Sequence, residues 1–234
     1  MNDAYPIGYV MTGPVAALGD AGAVSAMHKR PVHDVVRVTT TGLATDAQAD
    51  LKVHGGPEKA IHHYPFDHYA AWRAELPARP VLDEPGAFGE NLSTQGLVET
   101  GVAVGDVFRL GSAVLQVSQG RQPCWKLNLR FDTRDMALRL QQSGRTGWYY
   151  RVLEEGDVSP GDRLERIDRV TPAWTIERVW RVFYIDRLDY DALSAMAELP
   201  TLAESWRRHA RRRLESKSVE DWSKRLTGKD ASQA

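Results

Sequence analysis

Through about residue 170 the chain places apolar and polar residues in short alternating runs broken by glycine and proline, the period-two pattern of half-buried β-strands. Short β-rich runs and turn residues fill 7–41, where 35–41 (VVRVTTT) is the clearest strand. Residues 60–64 fit a short strand, and Pro65 opens a helix predicted over 66–76. The runs 102–110 and 113–117 read as two strands joined by a tight turn at Gly111-Ser112. A helical pattern over 132–142 stops at Gly144, and strands resume over 147–156 and 163–170. From Pro172 the period becomes helical, with patterns at 176–185, 190–199 and 202–214 separated by Asp186, Asp189 and Pro200. The expectation is therefore mainly β with α, divided into residues 1–171 and a small three-helix domain at 172–234.

Composition leaves that picture intact. With 42% hydrophobic and 26% charged residues over 234 positions, the chain can bury a proper core and is not a disordered polyampholyte. A net charge of −1 argues against a global nucleic-acid or membrane field, so such contacts need a local patch. The N-terminal MNDAYPIGYV lacks the features of a signal peptide, and no run approaches the ~20 apolar residues of a membrane helix, so a cytoplasmic location is expected.

The single cysteine changes the picture more. It excludes an intrachain disulfide, a CxxC redox pair, and a four-thiolate zinc or iron–sulfur site held by this chain alone. Cys124 lies in VSQGRQPCWKLN between Arg121 and Lys126, just past a predicted strand end. Fixed positive charge favours a thiolate, which serves as a nucleophile or soft-metal ligand; a core thiol with outward-pointing neighbours fits the same residues. In KVHGG, Lys52 and His54 share one face if extended, and Gly55-Gly56 lets backbone approach a ligand. His62, His63 and His68 lack metal-ligand spacing, and adjacent histidines on a strand face opposite ways, so they read as satisfied or solvent-facing. The loop GAFGENLSTQGL offers backbone N–H groups and side-chain amides to an anionic or hydrogen-bonding ligand. The last helix carries Arg207, Arg208, Arg211, Arg212 and Arg213, which suit a solvated face, an acidic protein partner or, less well, nucleic acid.

Taken together, GLATDAQADLKVHGGPEKAIHHYP, GAFGENLSTQGL, VGDVFRLGSAVLQVSQGRQPCWKLN and the three-helix tail resemble the YiiM-type MOSC-domain proteins over nearly the whole chain. The resemblance implies a MOSC β-barrel-like domain followed by a three-helix domain, and a molybdenum cofactor (molybdopterin) bound through a thiolate. By motif position it makes Cys124 the molybdenum ligand, with Arg121, Lys126, Lys52, His54 and Asn91 lining the cofactor site and His54 as a proton donor. It also implies reduction of N-hydroxylated compounds, such as the base 6-N-hydroxylaminopurine, to amines. A carrier of the cofactor, or of sulfur on Cys124, is the alternative. Two positions depart from the family pattern: Gly120 stands where proline is frequent, and Thr45 where the GLxGD segment usually has glycine. With no second thiol and no G-x-G-x-x-G fingerprint, electrons are expected from a separate flavin or iron–sulfur donor, docked by the basic helix; a homodimer is a further expectation.

Overall fold

The structure, a computed structural model, describes residues 3–19, 22–49 and 55–229. Seven strands form its frame: β1 (Ala4–Thr12), β2 (Ile61–His63), β3 (Leu92–Thr94), β4 (Asp106–Leu110), β5 (Ala113–Gly120), β6 (Trp148–Glu154) and β7 (Arg163–Arg169). The pairing runs β1-β3-β2-β6-β5-β4-β7 and closes when Ala4, Tyr5 and Pro6 of β1 pair with Glu165, Leu164 and Arg163 of β7. The sheet is thus a barrel, antiparallel except where His63 of β2 pairs with Leu92 of β3. Closure removes open edges that would otherwise seek another strand. The strongly predicted 35–41 strand lies outside this ring: Val36–Thr39 pairs with Gly42–Leu43 and Gly156–Val158 in a small separate sheet.

Residues 102–105 do not join β4. Gly105 takes a left-handed φ of 84°, Ala103 bridges to Thr175, and Asp106 Oδ2 accepts the Ala103 N–H at 2.9 Å. This tight local turn wins over the β propensity of Val102 and Val104, both of which still reach the core.

Seven helices accompany the strands among the described residues: α1 (Asp67–Glu75), α2 (Lys126–Arg130), α3 (Met136–Ser143), α4 (Ile176–Tyr184), α5 (Tyr190–Ala197), α6 (Glu204–Ser216) and α7 (Ser223–Thr227). Asp132 at φ 45° separates α2 from α3, so the helix predicted from 132 begins later. The C-terminal helices share one apolar core with the barrel, in which Ile176, Phe183, Leu193 and Trp206 join Leu115, Val117 and Trp148. The Ala203 N–H donates to Ser118 O at 2.8 Å, fastening the start of α6 to β5. That cover explains why nearly every residue of β5 is buried although its sequence alternates: one face fills the barrel and the other meets helices. Gly120, the departure from proline, pairs with Trp148 at the end of β5, and a Cβ there would lie 3.5 Å from Trp206.

Candidate functional site

The end of β5 delivers the cysteine stretch to a cleft. Its pairing with β6 shifts register between Val117 and Gln119, a bulge of the kind that re-aims side chains near functional sites. Past the bulge the Arg121 N–H donates to Gly147 O at 3.0 Å, and Leu127 N donates to Cys124 O at 3.0 Å to start α2. Cys124 is 9% exposed and lines a cleft beside Tyr149 and His62. Arg121, Lys126 and Asn91 line the same cleft. The structure thereby brings together four of the six residues singled out from the sequence; Lys52 and His54 lie outside the described residues.

Asn91 is committed to scaffolding. Its Oδ1 accepts the His62 N–H at 3.1 Å, and its Nδ2 donates to Met11 O at 3.0 Å and to Asp46 Oδ2 at 2.8 Å. Asp46 in turn accepts the Gly13 N–H at 2.9 Å and pairs with Lys29, both side chains being nearly sealed from water. Burial lowers the Lys29 pKa and the Asp46 carboxylate opposes that shift. Thr45, which departs from the family's glycine, is not among the residues with positive φ, so this loop delivers Asp46 without a glycine before it.

The glycine-rich loop also behaves differently from the expectation of an outward anion cradle. Glu90, fully buried, accepts the N–H groups of Gly86 (2.8 Å) and Phe88 (3.0 Å) and the hydroxyl of Tyr69. Those donors therefore turn inward onto the chain's own carboxylate. Burial raises the Glu90 pKa, and the bonds from Tyr69 and the loop backbone, with the Arg121 charge, oppose the rise.

Sequence reasoning passed over His62. The strand alternation it invoked is real: His63 points to the barrel interior, stacked on Trp148 with both nitrogens bonded, to Tyr150 (3.0 Å) and Thr94 (2.9 Å). Its neighbour His62 faces the cleft, 4% exposed, with its ring 4.9 Å from that of Tyr149. Burial lowers its pKa well below the usual histidine range, and the Arg121 charge adds to this. The nearby Gly89 backbone opposes that fall. Among the described residues Nε2 of His62 has no partner, and neither does Nη1 of the buried Arg121. Each such orphan costs about 1–3 kcal/mol. The only advance signal was the odd face of an IHHY strand, which spacing rules for metal motifs discard.

These residues fit the molybdenum cofactor that the sequence resemblance implies. Cys124 places one soft sulfur donor at the cleft, a donor type that suits molybdenum. Arg121 and Lys126 at the cleft suit a phosphorylated, heteroatom-rich ring system.

Comparison with known proteins agrees with this architecture. The MOSC-domain family profile matches residues 50–165, and that of the YiiM-like three-α-helix domain matches 174–217. Protein YiiM of Escherichia coli (strain K12) is 42% identical over 225 residues, covering 96% of this chain and 99% of its own. A Gibberella moniliformis (strain M3125 / FGSC 7600) protein named "Reductase" is 39% identical over 177 residues, covering 75% of this chain and 31% of its own. The crystal structure of YiiM from Escherichia coli superimposes with a TM-score of 0.81 at 36% identity, over 97% of this chain and 98% of that one.

Proposed function

Because the chain belongs to the MOSC-domain family, in the form that carries a YiiM-like three-helix domain, we propose that it is a molybdenum-cofactor-dependent oxidoreductase that reduces N-hydroxylated compounds to amines. The observation that carries this reading is the chain's single thiol in a cleft it shares with Arg121 and Lys126, where buried Arg121 and His62 each keep a nitrogen with no partner among the described residues. The name of the Gibberella relative supports a reductive role.

The overall step consumes R–NHOH, two electrons and two protons, and yields R–NH2 and water; the N–O bond breaks and nitrogen is reduced. When bound, the cofactor supplies the redox chemistry, as is usual for such enzymes. The chain's own residues do the rest. Cys124 contributes the sulfur ligand. Arg121 and Lys126 bind and orient anionic or hydrogen-bonding groups by charge-assisted contacts. His62 is neutral at physiological pH, and Asn91 holds the His62 peptide from both sides, accepting its N–H and giving its own N–H to His62 O at 2.8 Å. Electrons come from a separate flavin or iron–sulfur protein.

The test is direct. Native protein from a cofactor-competent host should contain molybdenum and pterin near one per chain, and with dithionite-reduced viologen should convert 6-N-hydroxylaminopurine to the amine. Cofactor without amine formation would instead favour a carrier role, and absence of both molybdenum and pterin would sink the reading.

A further inference from the structure

The segment after the three-helix domain does not trail away. At α7 it returns to the cysteine stretch and ties down the residues on either side of the thiol. Arg225 O accepts the Trp125 N–H at 2.7 Å, and Arg225 Nη1 donates to Pro123 O. One residue thus holds the backbone immediately before and immediately after Cys124. The other arm of its guanidinium donates to Gln141 Oε1 on α3. Leu226 O accepts from Asn128 Nδ2 at 2.9 Å, while Asn128 Oδ1 accepts the Ala137 N–H at 2.8 Å. Gly228, at φ 80°, lies so close over Trp125 that an added Cβ would meet its indole at 2.9 Å.

The strap is anchored on its own side as well. The Arg225 guanidinium sits 4.7 Å from the Trp222 ring centroid, and Trp222 stacks 5.4 Å from Phe183 of α4. Phe183 belongs to the core shared by barrel and helices. A continuous set of contacts therefore runs from that core through Trp222 and Arg225 to the peptide groups around Cys124.

We propose that Arg225 is a positioning residue for Cys124, and that Trp222–Gly228 is a strap fixing the thiol's loop at the cleft. A loop that must present one sulfur at a fixed place needs its carbonyls and N–H groups held, because loops without such ties open locally at low cost. The short strand end and the bulge before Arg121 do not supply these ties beyond Pro123, whereas Arg225 does. The strap stands on the geometry alone; what Cys124 binds rests on the reading of the site given above.

The test uses the chain's single cysteine as its own reporter. In full-length protein made without cofactor, the rate of Cys124 alkylation by iodoacetamide should rise about tenfold or more in Arg225→Ala, which keeps the backbone bond to Trp125 but loses the side-chain bonds to Pro123 O and Gln141. Arg225→Lys keeps the charge and a single donor but not the two-armed one, so it should fall between. A matched control, Val38→Ala in the small separate sheet, lowers stability in an element paired only with Gly42–Leu43 and Gly156–Val158 and should leave the rate near wild type. An unchanged rate in Arg225→Ala, or an equal rise in Val38→Ala at the same melting temperature, would overturn the proposal. In loaded protein the variant should also alter the electron paramagnetic resonance of reduced molybdenum. Native protein without any molybdenum would end the cofactor reading while leaving the alkylation result to decide the strap.

Discussion

Cys124 and the two adjacent histidines show how one residue's setting decides its task. Replacing Cys124 with Ser removes the sulfur but little volume, so stability should change by about 1 kcal/mol or less while reduction falls at least about 100-fold. Retained turnover with molybdenum still bound would refute its role as the ligand. His63 makes a different prediction. Burial holds its pKa at about 3, and burial holds that of His62 well below 6.5. In the unfolded chain both rings take up protons near pH 6.5, so below that pH the unfolded state binds more protons and stability falls with acid. For His63 the loss continues until pH approaches its folded value of about 3. The His63 ring contributes a slope that approaches about 1.4 kcal/mol per pH unit below pH 6.5, in sum about 1.6 kcal/mol between pH 6.5 and 5. Denaturation of His63→Gln over pH 7 to 5 should show a slope smaller by one proton; an unchanged slope would mean that the buried ring is not neutral when folded.

At the scale of elements, the glycine-rich loop between α1 and β3 is ordered from within. Glu90 gathers the N–H groups of Gly86 and Phe88 and the Tyr69 hydroxyl, so Glu90→Ala strands three buried donors. A loss of about 3 kcal/mol in chemical denaturation is expected, with Glu90→Gln intermediate, since its amide keeps one acceptor oxygen. A loss under about 1 kcal/mol would mean that the loop readily finds other partners. The sequence allowed both orientations, because a G-x-x-G-E-N string does not say whether its carboxylate points in or out. Elements with strong periodicity were legible: α1, α4, α5 and β5 to β7 fall within a few residues of their patterns. The barrel's closure was not, since it depends on Ala4–Pro6 meeting Arg163–Glu165, a pairing that no local pattern encodes. That Cys124, Arg121 and Lys126 line one cleft was foreshadowed by charge beside a lone thiol in the sequence, whereas His62 emerged only from a nitrogen with no partner among the described residues. The strap escaped notice for a related reason: SKRLT is too short for a periodic signal, and its importance comes from residues about a hundred positions away.

For the whole molecule, the helical layer divides its arginines between structure and surface. Arg213 is 0% exposed, bonded to Glu220 at 3.0 and 3.1 Å and to Phe183 O at 3.0 Å, and lies 4.3 Å from the Phe183 ring. Arg211 pairs with Glu204 at 2.7 Å, and Arg207 donates to Ala197 O at 3.1 Å. A wholly basic docking face is therefore not what α6 presents; Arg213 is part of the core, and reversing its charge would unfold the layer instead of testing a partner. Arg208 and Arg212, four apart and exposed, remain on one side of the helix. If an acidic electron donor docks there, Arg208→Glu with Arg212→Glu should slow turnover with that protein donor about tenfold at low salt. The difference should shrink as ionic strength rises and screening shortens the reach of both charges. Turnover with reduced viologen should stay at the wild-type rate, because neither residue lines the cleft. Equal slowing with both donors would place the defect within the fold, and no slowing with either would remove α6 as the docking face.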